Sequence, residues 1–205
     1  MPAMVIVACL LPVAYLVGTF PSAGLVARTR GHDVQREGSG NPGASNVFRL
    51  LGWRAGLVVL LLDIGKGAGA AGVGVAIDGH RGAFILGVAA VVGHVFPVTR
   101  RFKGGRGVAT AAGVMAVIFP LEIAVLGVVW FGIARGLRKA SVASIVCSIA
   151  FPVIVAARDG SALDLAVTSG LAALIVARHL ANVRRLVRGE EHGLGDEDDG
   201  GSVAA

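Results

Sequence analysis

Cysteine is almost missing: Cys9 and Cys147 are the two in 205 residues, and both sit in apolar surroundings. Two such residues give neither a disulfide framework nor a zinc site, so both read as packing residues. Aromatic residues are only 5% of the chain and do not interleave with a basic patch. The net charge of +6 therefore does not read as nucleic-acid binding, because the basic residues punctuate hydrophobic runs instead. No basic residue precedes the first apolar run, which is also too long for a signal-peptide core, so Met1 to Val26 reads as a first span rather than a cleaved leader. Clustered aspartates that would hold magnesium are missing from the spans and joints, so no metal and no cofactor is expected. Gly67, Gly69 and Gly72 spell GxGxxG, but no strand precedes them and the match to a dinucleotide fingerprint is spurious.

What the chain has in excess is apolar sequence. Hydrophobic residues make up 55% and mean hydropathy is +0.76, too oily for a soluble domain of average make-up. A bilayer core about 30 Å thick needs about 20 mostly apolar helical residues. Candidate spans run over 3 to 26, 54 to 77, 82 to 98, 107 to 119, 120 to 137, 141 to 157 and 163 to 183. The fourth and fifth compete with one long tilted helix over 107 to 137, interrupted by Pro120 and Glu122.

Charge placement decides that competition. Sixteen of nineteen lysines and arginines fall in four joints, Arg28 to Arg54, Arg100 to Arg106, Arg135 to Lys139 and Arg178 to Arg188. If positive-inside bias makes all four cytoplasmic, an even number of crossings separates each successive pair. The expectation is an all-α polytopic membrane protein of seven transmembrane helices, with its amino terminus outside, its carboxyl terminus cytoplasmic, and 107 to 137 a helical hairpin. Residues 1 to 189 form one transmembrane domain. Residues 190 to 205, acidic and glycine-rich with no apolar face, read as a disordered cytoplasmic tail.

The polar segments carry the chemistry. Gly38 to Asn46 reads GSGNPGASN and is followed by Arg49. Its glycines and proline disfavour a continuous helix and allow successive amides to form an anion-binding nest, to which Ser39, Asn41, Ser45 and Asn46 add side-chain donors and Arg49 a planar cation. An ordinary turn with an Asn or Ser helix cap is the plainer alternative. The second segment, RRFKGGRGVAT from Arg100 to Thr110, leads glycines straight into a helix start flanked by Lys103 and Arg106, a ready phosphate site. A simple membrane anchor needs the charges but not Gly104, Gly105 and Gly107.

Asp63 and Lys66, three residues apart in a span, share a helix face and face the bundle interior, as a structural ion pair or as a site. Gly65 and Gly69, at GxxxG spacing, are expected to serve close helix packing. Ser141, Ser144 and Ser148 share one stripe, and His94 lies beside the second basic joint. His179, Asn182 and Arg185 follow i, i+3, i+6 at the end of the last span. For His179 and Asn182 a functional role is favoured, whereas the arginines there are read as snorkelling to lipid headgroups.

Taken in order, GSGNPGASNVFR, LDIGKG, GHVFPVTRRFKGGRGVAT, the Ser141 segment and RHLANVRRLVRGEE resemble the bacterial acyl-phosphate:glycerol-3-phosphate acyltransferases, the PlsY type, from about Gly38 to Glu191. The resemblance implies a seven-helix enzyme of the cell membrane with a cytoplasmic-side active site. It would move a fatty acyl group from acyl phosphate to the sn-1 hydroxyl of glycerol 3-phosphate, giving lysophosphatidic acid for phospholipid synthesis. By the same resemblance Ser39, Arg49, Ser141, His179 and Asn182 belong to the catalytic set. Gly40, Asn41, Asn46, Lys103, Gly104, Gly105, Arg106, Gly107 and Thr110 bind substrate or phosphate. Glu191 matches a residue of more structural character, while Asp63, Lys66 and His94 are read as structural polar residues from their own positions. Arg106 stands where the family usually has lysine, and Ser45 where it usually has threonine.

Expected partners are the two substrates, membrane lipid, and the enzyme that produces acyl phosphate, with no nucleic acid. A covalent acyl-enzyme is not expected, since neither cysteine is suitably placed and no serine has a triad context. The proton acceptor is either His179 or the donor's own phosphate. The alternative function is a membrane transporter of phosphate or an organophosphate, for which internal repeats would be expected and are not seen. An acyltransferase of the His-x4-Asp kind is disfavoured: after His32, His80, His94, His179 and His192 the fifth residue is never aspartate.

Overall fold

The computed structural model describes residues 2 to 194, and among these all regular secondary structure is helical, with no strand. Its helices are α1 (Ala3–Gly18), α2 (Ser22–Arg28), α3 (Ala44–Leu51), α4 (Trp53–Val95), α5 (Val108–Ile118), α6 (Pro120–Gly136), α7 (Ala140–Ala157), α8 (Ala162–Arg178) and α9 (Leu180–Val187), with a 3-10 turn at Val98–Arg100.

The long α4 is two limbs. Asp78 and Gly79 leave helical geometry, and Gly79 has φ 57°, a conformation open to glycine and costly for most other residues. A straight helix rises about 1.5 Å per residue, so residues eight apart would be about 12 Å apart. Instead a Cβ on Gly74 would meet the Gly82 carbonyl oxygen at 2.2 Å, so the chain folds back on itself. The break anticipated between 77 and 82 is therefore a hairpin turn. A second break falls at Phe119, where φ −130° and ψ 62° interrupt the chain before Pro120. A proline disfavours helical geometry in the residue before it, so α5 and α6 are separate and the single tilted helix over 107 to 137 is ruled out.

Two expected spans are less regular than their apolar content suggested. The first is interrupted between Gly18 and Ser22, where Pro21 follows Phe20. The last bends by 51° at His179, between α8 and α9. By length and composition, three helical stretches among the described residues suffice to cross a membrane, or four if the bent pair counts as one.

The turns sort to two ends of the bundle. At one end His80 lies 6.0 Å from Phe119 ring to ring, hydrogen-bonds Asp164, and has the Glu122–Arg158 ion pair nearby in the same set of turns. At the other end the basic joints meet: Gln35 bonds the Lys103 carbonyl, Arg178 the Gly104 carbonyl, and Lys139 the Glu191 carbonyl.

Burial is inverted relative to a water-soluble protein. Asp63 and Lys66 are 2% and 8% exposed, while Val128 and Phe131 are 75% and 64% exposed. The core between α4, α5, α7 and α8 holds Phe84, Val91, Val114, Met115, Phe151 and Leu171. Helices approach closely where glycine lets one backbone touch another: a Cβ on Gly67 would lie 2.1 Å from the Thr110 carbonyl oxygen, and one on Gly113 would lie 2.0 Å from that of Ile64. Gly65 and Gly69 have nothing within 4 Å, so the expected GxxxG face is displaced and Gly67 serves instead. Gly113→Val should therefore cost about 1 to 3 kcal/mol by overpacking, seen as a lower melting midpoint in detergent. Gly65→Ala should be neutral or slightly stabilising, and equal loss in both variants would contradict this packing.

Candidate active site

Three polar segments converge at the basic end on a cavity of about 720 Å³. The first supplies Gln35, Arg36, Ser39, Gly40, Asn41 and Pro42. Its shape is set by Asn46, whose buried side chain accepts from the Ser39 N–H at 2.9 Å and donates to the Val34 and Glu37 carbonyls at 3.1 Å each. Asn46 thus braces the loop from behind, with its amide fully engaged, and does not line the cavity. Gly38 and Gly40 both have positive φ, which turns the loop back toward α3.

The second segment supplies Phe102, Lys103, Gly104 and Arg106. Gly105 and Gly107 do not line the cavity; they pack on His94 and Val95. Thr110 is fully buried with an unpartnered hydroxyl, away from the cavity wall. The cavity-facing part of this segment is therefore the loop itself rather than the first turn of α5. Arg106 has no hydrogen-bond or ion-pair partner among the described residues. Burial, reinforced by Arg185, Arg49 and Arg178, brings its pKa down to about 10 while Glu191 opposes them. It remains a cation near neutral pH, short of a counter-charge.

The third segment is the α8–α9 junction, giving Ala177, Arg178, Ala181, Asn182 and Arg185. Arg178 and Arg185 are not simply snorkelling. Arg178 bonds the Gly104 carbonyl at 3.1 Å and lies over the Phe96 ring, while Arg185 pairs with Glu191 at 2.9 Å. Among the described residues, five cationic side chains thus line the cavity and no carboxylate does.

Glu191 organises what lies behind. Its carboxylate accepts from Asn182 at 2.6 Å, Ser141 at 2.7 Å and Arg185 at 2.9 Å, and Lys139 bonds its carbonyl. Arg49 donates to the Gly193 carbonyl at 2.7 Å and the His192 carbonyl at 3.4 Å. Residues 190 to 194, expected to open a disordered tail, are therefore packed against α3, α7 and α9. The rest of that tail, 195 to 205, lies outside the described residues. Ser141 and Arg49 are turned to this segment and do not line the cavity. Ser144 and Ser148 bond carbonyls one turn back in α7, as packing serines do.

The Glu191 contact also fixes the Asn182 amide. Its nitrogen donates to Glu191, which leaves its oxygen buried without a partner. His179 is 1% exposed and does not line the cavity; its Nδ1 bonds the Ile175 carbonyl at 2.8 Å. A carbonyl can only accept, so the proton sits on Nδ1 and the lone pair of the neutral ring on Nε2.

A groove of about 930 Å³ adjoins the cavity, sharing Gln35 and Pro42 with it. Leu16, Val17, Phe20, Leu25, Leu61 and Leu62 are among its apolar residues, and Arg28, His32, Asp33, Lys66 and Arg100 among its polar ones.

Burial alone would raise the Glu191 pKa, but the bonds from Asn182, Ser141 and Arg185 outweigh it and hold the carboxyl below its usual 4.5. A depressed folded-state value gives stability that is present above about pH 4.5 and is lost as pH falls through the lower value. Glu191→Gln should therefore be less stable than the parent at neutral pH and lose less stability on acidification. Parallel melting curves for the two proteins across that range would contradict this.

A family model described as glycerol-3-phosphate acyltransferase matches residues 8 to 189. A protein of that name from Chlorobaculum tepidum is 40% identical, covering 89% of this chain and 94% of its own length. One from Bacillus cytotoxicus is 39% identical, covering 92% and 95%. The crystal structure of PlsY (YgiH), an integral membrane glycerol 3-phosphate acyltransferase in its glycerol 3-phosphate form, aligns with TM-score 0.87 and 37% identity over 92% of this chain and 96% of that one. Its lysophosphatidic acid form aligns with TM-score 0.84 and 36% identity. An oily helical bundle with a basic cavity built from glycine-rich loops, matched over nearly its whole length, belongs to the glycerol-3-phosphate acyltransferase family.

Proposed function

We propose that this enzyme transfers a fatty acyl group from acyl phosphate to the sn-1 hydroxyl of glycerol 3-phosphate, forming lysophosphatidic acid and releasing phosphate. The observation that carries the reading is the cavity lined by five cations and no carboxylate among the described residues, beside a groove rich in apolar side chains that shares Gln35 and Pro42 with it. One substrate is a small dianion, and the other is an anion on a long hydrocarbon chain. The cavity suits the phosphates and the groove suits the chain.

In the transfer, the hydroxyl oxygen bonds the acyl carbon, and the bond from that carbon to the phosphate oxygen breaks with its electron pair leaving on phosphate. The hydroxyl proton goes to the departing phosphate. Between that acceptor and His179, the placement of His179 outside the cavity lining favours phosphate. Phosphate is a good leaving group, so the protein's work is chiefly positioning and charge stabilisation. Lys103, Arg106 and the Gly104 backbone hold the acceptor's phosphate. The unpartnered oxygen of Asn182 accepts from a glycerol hydroxyl. Ser39, Gly40 and Asn41 form the opposite wall, while Arg49, Ser141 and Glu191 hold the α9 end in place.

The proposed topology is seven membrane crossings with the amino terminus outside and the basic end cytoplasmic. It is supported by the meeting of the four arginine-rich and lysine-rich joints at one end of the bundle. That orientation sets the cavity on the cytoplasmic side of the cell membrane, where the enzyme that produces acyl phosphate would deliver it.

Purified protein in lipid, offered acyl phosphate, acyl carrier protein or acyl coenzyme A with glycerol 3-phosphate, should turn over only acyl phosphate; turnover with a thioester donor would overturn the donor assignment. Removing a charged hydrogen-bond donor costs about 1.5 to 3 kcal/mol, or roughly 10 to 150-fold in affinity. Arg106→Ala should raise the glycerol 3-phosphate KM by about that factor, and a parental KM would remove Arg106 from phosphate binding. His179→Gln, if folded, should keep measurable turnover, whereas its complete loss would restore His179 as the base.

A further inference from the structure

Four polar side chains lie buried between α2 and the two limbs of α4, outside the cavity. Asp63 accepts from Ser22 at 2.6 Å and pairs with Lys66 at 2.8 Å. Lys66 reaches on to His94 Nδ1 at 2.7 Å and to the Phe20 carbonyl at 3.4 Å. All four are at most 8% exposed. Asp63 and Lys66 are the expected ion pair, but a pair is complete without a histidine 28 residues away.

The histidine faces the glycine-rich loop. An ammonium has donors and no acceptor, so Nδ1 of His94 accepts and the other edge of its ring is left for the loop. A Cβ on Gly105 would lie 2.2 Å from His94 Nε2, and one on Gly104 would lie 2.1 Å from the His94 carbonyl oxygen. The Gly105 N–H also donates to that carbonyl at 3.2 Å. Ring and carbonyl together form the seat on which the loop between Lys103 and Arg106 rests.

We propose that His94 is a positioning residue for glycerol 3-phosphate: Ser22, Asp63 and Lys66 lock its ring, and the ring edge under Gly105 sets the height of the loop that carries Lys103, Gly104 and Arg106. The proposal rests on the phosphate-binding role assigned to that loop. It explains why two glycines stand together there: each one's missing side chain is space occupied by His94. It also ties the site to the interior of the bundle, since the ring, carried on the second limb of α4, is bonded from the first limb by Lys66, and Lys66 is linked through Asp63 to Ser22 of α2.

The test is a size exchange across the seat, with turnover of the parent on acyl phosphate and glycerol 3-phosphate established first. Absence of turnover in the parent would fail the acyltransferase reading itself; the variants address positioning alone. His94→Asn keeps an acceptor near Nδ1 for Lys66 but removes the outer edge of the ring. It should raise the glycerol 3-phosphate KM by about tenfold with kcat and the acyl phosphate KM within about twofold of the parent. Gly105→Ala alone should raise the same KM further, because its methyl meets the ring. The double variant H94N/G105A should lie closer to the parent than G105A does, because the methyl fills the vacated space. Multiplying single effects in the double variant, or a parental KM in H94N, would overturn the proposal. So would equal changes in both KM values with a lowered melting midpoint, the signature of a purely structural role. If H94N does not fold, G105A decides: a selective rise in the glycerol 3-phosphate KM supports the seat, and a parental value overturns it.

Discussion

Hydrocarbon offers a polar group no hydrogen bond, so each charge in a chain this apolar must find a partner inside or reach the end of the bundle. Both solutions are used, and the fold follows from them. Asp63 and Lys66 meet inside, with Ser22 and His94 completing the set. Most other cations collect at one end, where the four basic joints touch. The close contacts at Gly67 and Gly113 seat α5 against the first limb of α4, and the contact between Gly74 and Gly82 closes the turn between its two limbs. The glycine-rich loops are then laid over that framework.

The cavity has two kinds of wall. Facing it are cations and backbone; behind it is a hub, Glu191, that binds Ser141, Asn182 and Arg185 at once. A carboxylate in the cavity would oppose an anionic substrate. One residue layer further back, it holds Arg185 in place and leaves the buried oxygen of Asn182 without a protein partner. Electrostatic preorganisation of this kind requires the donors to be fixed before the reaction begins. The hub and the Asn46 brace do so from opposite sides.

Much of the architecture was legible in the sequence. Apolar runs gave the helices, and the chain reversal at Asp78–Gly79 and the helix break at Phe119–Pro120 lie where charge, glycine or proline breaks those runs. The Asp63–Lys66 pair was readable from helical spacing. Hidden were features set by contacts between distant segments. GxxxG spacing pointed to Gly65 and Gly69, but the rotation of α4 against α5 is a tertiary choice and selects Gly67. Asn46 and Arg49 lie in the right segment, yet their side chains turn away from the cavity to hold chain at Val34, Glu37 and residues 192 and 193. Arg178 and Arg185 look like membrane anchors until the 51° bend at His179 brings the junction over the loop at Gly104. Gln35 and Arg36 carried no motif, and only folding the first joint over the second reveals them as cavity wall.

The central claim is that the two glycine-rich segments and the α8–α9 junction form one phosphate-binding site with Asn182 facing a substrate hydroxyl. A crystal structure of this protein with glycerol 3-phosphate bound tests it most directly. The account predicts phosphate against Lys103, Arg106 and the Gly104 backbone, with a glycerol hydroxyl within hydrogen-bond distance of the Asn182 oxygen. Ligand bound elsewhere with the cavity empty, or its phosphate directed to Asn182, would contradict it.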